Sequence, residues 1–212
     1  MNHDSFKGAS WYDDIRKQQV LVIGAGGTGS WLTLLLARAG VTNLAVYDDD
    51  LIESRNNSGQ FFKLNQVGQA KVEALKTNVK EFTDVEIITL QEKYTANSMV
   101  APVMCSMVDN MATRKIAFDK WKRYENKSLF IDVRLDFEQS DIFIVDESSI
   151  EKYESTLFDD SEVTDPVCTM KQTTHIAFHV AHAVEGLINY VAGRPYKFRT
   201  TNVTSMSYVE FE

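Results

Sequence analysis

Val20-Leu21-Val22-Ile23-Gly24-Ala25-Gly26-Gly27-Thr28-Gly29-Ser30 sets an apolar strand, a glycine turn and a helix start end to end, and Asp48-Asp49-Asp50 comes about twenty residues later. Gly24, Gly26, Gly27 and Gly29 let the turn take backbone angles closed to other residues and leave no Cβ between main chain and phosphate. A helix from Thr28 aims its free N–H groups and partial positive charge at that phosphate. Strand, turn, helix and distant acid together read as a nucleotide site, and by themselves they leave NAD and ATP both open.

Outward from that stretch, the chain alternates. The helix runs from Thr28 to Ala39, Gly40 stops it, and Thr42 to Tyr47 is the next strand, with the acids at its C-terminal end. A polar loop, Glu53 to Gln60, leads to a helix over Gln66 to Glu81. Strands are expected at Val85 to Leu90, Pro102 to Val108 and Leu129 to Val133, with a helix over Met111 to Tyr124. Such alternation predicts an α/β fold with a doubly wound, mainly parallel sheet. Asp141 to Val145 comes too soon after its predecessor for a helical crossover, so an antiparallel C-terminal extension begins there. Residues 147–165 hold seven acids against one lysine and are expected to form a mobile crossing loop. A long helix, Thr169 to Ala192, and a hairpin, Tyr196 to Thr201 with Met206 to Phe211, close the chain. One domain over 1–212 is expected: a nucleotide-binding half (1–146), an acidic crossover loop (147–168) and a C-terminal helix and hairpin (169–212).

Bulk properties narrow the classes. The 212 residues are 44% hydrophobic and 25% charged, enough for a full core. No apolar run is long enough to span a bilayer and Met1-Asn2-His3-Asp4 has no basic export start, so no membrane partner and a cytoplasmic location are expected. A net charge of −8 argues against nucleic acid as a main partner. Two cysteines, Cys105 and Cys168, make neither a disulfide framework nor a C-x-x-C pair, so no structural zinc is expected.

The residues C-terminal to the acids favour ATP. Asp48-Asp49-Asp50-Leu51-Ile52-Glu53-Ser54-Arg55-Asn56-Asn57-Ser58-Gly59-Gln60-Phe61-Phe62, then Val67-Gly68-Gln69-Ala70-Lys71 and Asp109-Asn110 with Arg114, resembles the ThiF/MoeB/HesA family, bacterial relatives of ubiquitin-activating enzymes. The family pattern runs D-x-D, an acid, S-N-L-x-R-Q, an aromatic pair, V-G-x-x-K, and D-N with an arginine four residues on. Ile131-Asp132-Val133-Arg134 and Pro166-Val167-Cys168-Thr169 also look like stand-alone members, and the resemblance covers roughly Lys17 to Ala192. It implies a Rossmann-like fold, a homodimer, and ATP-dependent adenylation of the C-terminal carboxylate of a small ubiquitin-like or sulfur-carrier protein. The chain departs from the pattern where Asn57 and Gly59 stand in place of leucine and arginine, so a guanidinium expected on the triphosphate is missing. Arg55 and Arg16 are the nearby substitutes, neither at a matching position.

In the implied reaction an ionised carboxylate attacks the α-phosphorus of ATP and pyrophosphate leaves. No general base is needed; the task is to align two anions and neutralise the leaving group. By the resemblance Asp109 holds Mg²⁺, Lys71 supplies a point charge to the phosphates, and the glycine-turn amides cradle the same region. Asp48 or Asp50 accepts the ribose hydroxyls, and Asn56 and Gln60 orient phosphates or adenine. Each has a plainer alternative: Lys71 as a surface lysine, Asp109 as a helix-cap neighbour acting through Asn110, Asn56 and Gln60 as loop amides.

Cys168, at a helix start, would have a lowered pKa and suit thioester formation, or would simply anchor a loop; Cys105 reads as packing. His175, His179 and His182 fall on one helix face, expected to meet solvent or another subunit opposite a core side of Ile176, Val180, Val184, Leu187 and Val191. Trp31, Leu32, Leu34, Leu35 and Leu36 make the first helix apolar on more than one side, which points to a homodimer contact. Three other functions stay open: a nicotinamide-dependent oxidoreductase, a nucleotide-binding partner-recruiting relative without chemistry, and an RNA-modifying dehydratase of the same family.

Overall fold

The computed structural model describes residues 6, 8–135, 139–162, 173–196, 198–202 and 207–211. After a short helix, α1 (Tyr12–Ile15), the chain forms β1 (Gln19–Ile23), α2 (Gly27–Ala39), β2 (Asn43–Tyr47), α3 (Lys71–Thr83), β3 (Ile88–Leu90), β4 (Val103–Ser106), α4 (Met111–Arg123), β5 (Leu129–Leu135) and β6 (Gln139–Val145). Then come α5 (Ile150–Glu154), α6 (Thr173–Val191), β7 (Phe198–Asn202) and β8 (Ser207–Phe211). One eight-stranded sheet takes the order β3-β2-β1-β4-β5-β6-β7-β8. Strands β3, β2, β1, β4 and β5 are parallel, whereas β5–β6, β6–β7 and β7–β8 are antiparallel. The expected mainly parallel sheet with an antiparallel extension is therefore what forms.

Strand periodicity sorts the core onto the two sheet faces. Val20 and Val22 of β1 point into one cluster with Leu32, Leu36, Val72, Leu75, Val180 and Leu187, so α2, α3 and α6 cover that face. Leu21 and Ile23 point into the other, with Phe118, Trp121, Phe130 and Tyr153, under α4 and α5.

Four expectations change. The helix placed over Gln66 to Glu81 starts only at Lys71, because Ala70 is extended and bridges to Leu51; Leu64–Gln66 is a separate 3₁₀ turn. The loop expected to be mobile from Glu147 forms regular turns and a helix as far as residue 162: Glu147–Ser149 and Asp160–Glu162 are 3₁₀ turns flanking α5. Wholly buried Tyr153 nails this segment to Phe118, Phe130 and Phe143 by ring contacts, which is an aromatic core and not a loop's surface. Its remainder, residues 163–168, lies outside the described residues. The second apolar side of α2 is covered by α6 of the same chain, with Leu32, Leu34 and Leu36 buried, so it carries no argument for a dimer. The histidine stripe does not face outward as a unit either: His179 is buried, its Nδ1 2.6 Å from the His175 carbonyl, because α6 lies against both α2 and the sheet.

Candidate functional site

The sheet reverses its order of addition between β1 and β4, and the turns after these two strands flank the crevice where open α/β sheets bind ligands. The glycine turn comes after β1 and Asp109 after β4. Both are held by backbone bonds: Gly24 N–H donates to the Tyr47 carbonyl and Met107 N–H to the Ile23 carbonyl, each at 2.8 Å.

Two glycines in the turn are sterically compelled. Gly24 has φ +94°, and a Cβ there would lie 2.7 Å from the Met107 carbonyl oxygen; at Gly29 it would lie 1.8 Å from the Gly24 carbonyl oxygen. A Cβ on Gly26, by contrast, would meet nothing within 4 Å, so the turn presents an open face there. The helix α2 begins beside it with Gly26 as N-cap and no side-chain capping bond. Its first amides are left for an anion.

Across the turn Asp48 is nearly buried, its Oδ2 accepting from Ala25 N–H at 2.6 Å and its Oδ1 from Asp50 N–H at 2.9 Å. Burial raises its pKa, opposed by the Lys71 charge and by the two amides. Lys71 is itself buried, its ammonium 2.6 Å from Asp50 Oδ2 and 3.9 Å from Asp48 Oδ1. The plainer alternative for Lys71, a surface lysine, does not hold. Asp50 is mostly exposed. A lysine and two acids thus converge at the end of β2.

The polar loop after β2 is a 3₁₀ turn, Ser54–Ser58. Asn56 closes it, its Oδ1 accepting from Glu53 N–H at 2.7 Å. Arg55 is exposed and paired to Glu53, Nε to Oε2 at 2.7 Å. Gln60 differs: its Oε1 is buried and has no partner among the described residues, and the same is true of Oδ1 of Asn57. Such orphan acceptors are costly unless a ligand donor meets them. Gly59 sits against Ile176 of α6 and accepts a bond from the Trp31 indole N–H at 3.1 Å. The position where the pattern has an arginine is therefore part of the packing of α6 onto the loop, reinforced by a Thr173 Oγ1 bond to the Ser58 carbonyl.

Asp109 is exposed on the β4–α4 turn, with the Asn110 amide 3.4 Å from its Oδ1. Capping of α4 falls to others: Asn110 Oδ1 accepts from Thr113 N–H at 2.8 Å, and Asp160 takes Met111 N–H at 2.6 Å and Ala112 N–H at 2.9 Å. Asp109, bonded to the capping Asn110, is thus the helix-cap neighbour of its plainer alternative, and its exposed carboxylate is open to a cation as well. Among the described residues no three His, Cys, Asp or Glu side chains gather into a metal-binding group. A single exposed carboxylate still fits Mg²⁺, which keeps several waters and uses one or two carboxylates plus substrate phosphates. Cys168 lies outside the described residues; Cys105 is buried in β4 with its pKa pushed up by burial, as packing requires.

Residues 2–209 match the ThiF family. The chain belongs to that family. Among curated ThiF relatives, ubiquitin-like modifier-activating enzyme 5 of Culex quinquefasciatus is 38% identical over 90 residues, 39% of this chain and 23% of that protein. tRNA threonylcarbamoyladenosine dehydratase 2 of Saccharomyces cerevisiae is 32% identical over 123 residues, covering 53% of this chain and 28% of that protein. Adenylyltransferase and sulfurtransferase MOCS3 of Caenorhabditis briggsae is 32% identical over 120 residues, 53% of this chain and 30% of that protein. The chain thus matches under a third of these relatives' length. In structure it is similar to E. coli MccB with MccA-N7isoASN, at TM-score 0.77 and 14% identity over 96% of this chain and 66% of MccB, and to PaaA, at TM-score 0.77 and 17% identity over 96% of this chain and 66% of PaaA. These two likenesses establish the ThiF-type fold. No described helix of the chain is long and apolar enough to cross a membrane.

Among the residues to which the sequence assigned no role, Asp132 and Arg134, quoted above only as part of the family resemblance, stand out with Tyr153 and Asp160. A signal was present for two of them: Asp132 and Arg134 are two apart in an otherwise apolar strand, hence on one face, where charge demands a partner.

Proposed function

We propose that this chain is an ATP-dependent adenylating enzyme acting on the C-terminal carboxylate of a small ubiquitin-like or sulfur-carrier protein. The observation that carries the proposal is the placing, at the ends of β1, β2 and β4, of a helix N-terminus without a side-chain cap, the Asp48–Lys71–Asp50 cluster and an exposed Asp109 carboxylate. Relatives named as a modifier-activating enzyme and an adenylyltransferase support it, and one solved structure of the same fold is that of E. coli MccB with ATP.

In this reading the triphosphate lies on the α2 amides and the open face of Gly26. Lys71 holds Asp48 and Asp50 in place for the ribose and shifts toward the phosphates when they arrive. Gln60 and Asn57 offer their unpartnered oxygens to ligand donors. Asp109 would hold Mg²⁺, which when bound neutralises charge on the departing pyrophosphate. Because the attacking carboxylate is already ionised, the residues align and shield; none has to remove a proton.

A second reading, ATP binding with partner recruitment and no chemistry, is favoured by Gly59, whose place in the α6 packing leaves no guanidinium there. ATP–pyrophosphate exchange, measured with and without a carrier ending in an exposed tail, separates the two. Carrier-dependent exchange supports adenylation; ATP binding by calorimetry without exchange supports the second reading. The dehydratase relative marks RNA as the other substrate class, which a net charge of −8 disfavours.

A further inference from the structure

Beneath the β4–α4 turn lies an ionic cluster that the proposed chemistry does not use. Asp132 on β5 is wholly buried; its Oδ1 accepts from Arg114 Nε at 2.9 Å, and its Oδ2 from Arg134 Nε at 2.7 Å and from the Tyr153 hydroxyl at 3.0 Å. Burying ions here costs more than packing aliphatic residues, so what they hold matters.

Arg114 also donates to the Val108 carbonyl at 2.6 Å, the residue before Asp109, and lies against Met111 Sδ at 3.7 Å. Arg134 reaches the other way, to the Thr156 carbonyl at 2.8 Å and hydroxyl at 3.1 Å, just past α5. From that same segment Asp160 returns to the first two amides of α4. Asp109 therefore sits on a turn fixed from below through Arg114 and from the side through Asp160, and both ties trace back to Asp132.

We propose that Arg114 and Asp132 are positioning residues that set the direction of the Asp109 carboxylate and lock it to the acidic segment 147–162. The proposal rests on the role given to Asp109 above. A planar fork is required, because one guanidinium must bridge a buried carboxylate and a backbone carbonyl at once; an ammonium ion keeps the charge and serves one partner well.

The test is Arg114→Lys, which retains the ion pair, with Asp132→Asn as the second variant. Hydrogen exchange of the amides of residues 107–113 is expected to quicken in R114K while the glycine turn keeps its protection. Unchanged protection at 107–113, or loosening spread evenly over the molecule, overturns the proposal. In pyrophosphate exchange, kcat is expected to fall about 10- to 100-fold with an unchanged KM for ATP and a raised half-saturating Mg²⁺ concentration. A KM effect alone overturns it. Should the wild-type chain be inert with every carrier, the proposed function fails, and hydrogen exchange alone decides whether these residues fix the turn.

Discussion

Two helices start at the same edge of the sheet, and their N-termini are finished in opposite ways. At α2 the cap is Gly26, without a side-chain bond and with space beside it. At α4 the amides of Met111, Ala112 and Thr113 are all taken, two by Asp160 and one by Asn110. Both ends carry the same partial positive charge, about half an elementary charge. One is open to an anion from outside and the other is neutralised by the chain's own carboxylate, with Asp109 exposed next to the closed end.

The largest effect comes from closing the open end. Gly29→Ala drives a Cβ into the Gly24 carbonyl, so the turn must rearrange; loss of measurable ATP binding by calorimetry and a clear drop in thermal stability are expected. Normal ATP affinity in that variant would break the contrast.

Next is Asp109→Ala. Since the carboxylate is exposed and takes a long, 3.4 Å bond from Asn110, whose Oδ1 makes the cap itself, pyrophosphate exchange should fall about 10²- to 10³-fold while the melting temperature changes little. A large loss of stability instead would return Asp109 to a structural role.

At the closed end, Asp160→Ala strips two amides of their acceptor. A stability loss of about 1 kcal/mol in urea titration is expected, with ATP affinity unaltered. Altered ATP affinity would show that the two ends are not separate.

The smallest effect concerns α6, which carries Ile176 onto Gly27 and Gly59. Burial holds the His179 pKa below its ordinary 6.5, with the His175 carbonyl opposing and the His182 and His175 charges adding to the drop. The unfolded chain binds a proton that the folded state refuses, so stability should fall as pH drops below about 6.5, by at most about 1.4 kcal/mol per pH unit. His179→Phe should flatten that limb in urea titrations from pH 7.5 to 5.5. A limb that persists assigns the pH dependence to other groups.

Much of the geometry of the crevice was legible in sequence because it is local. The spacing of Gly24, Gly26 and Gly29, and the placing of Asp48 at a strand end, are fixed within one strand–turn–helix unit. Lys71 needed the family pattern, since nothing in its neighbourhood reveals that it will be buried against Asp50. Asn56 gives its Oδ1 to the 3₁₀ turn, while among the described residues the Oε1 of Gln60 has no partner, a difference that spacing along the loop does not reveal. The histidine stripe and the apolar excess of α2 were misassigned for one reason: a helix that packs against both another helix and a sheet buries more than one face, and periodicity along one segment cannot say what lies opposite.

The sequence by itself determined the alternation of elements, the parallel-then-antiparallel sheet and the glycine turn with its acid, because each depends on residues close along the chain. Only the tertiary structure decided that α6 seals α2, that Asp160 closes α4, and that Asp132 ties two arginines and a tyrosine beneath Asp109. Those contacts join residues from 18 to 49 positions apart in some cases, and only burial, which forces every charge and every helix end to find a partner, selects among the many pairs the sequence allows.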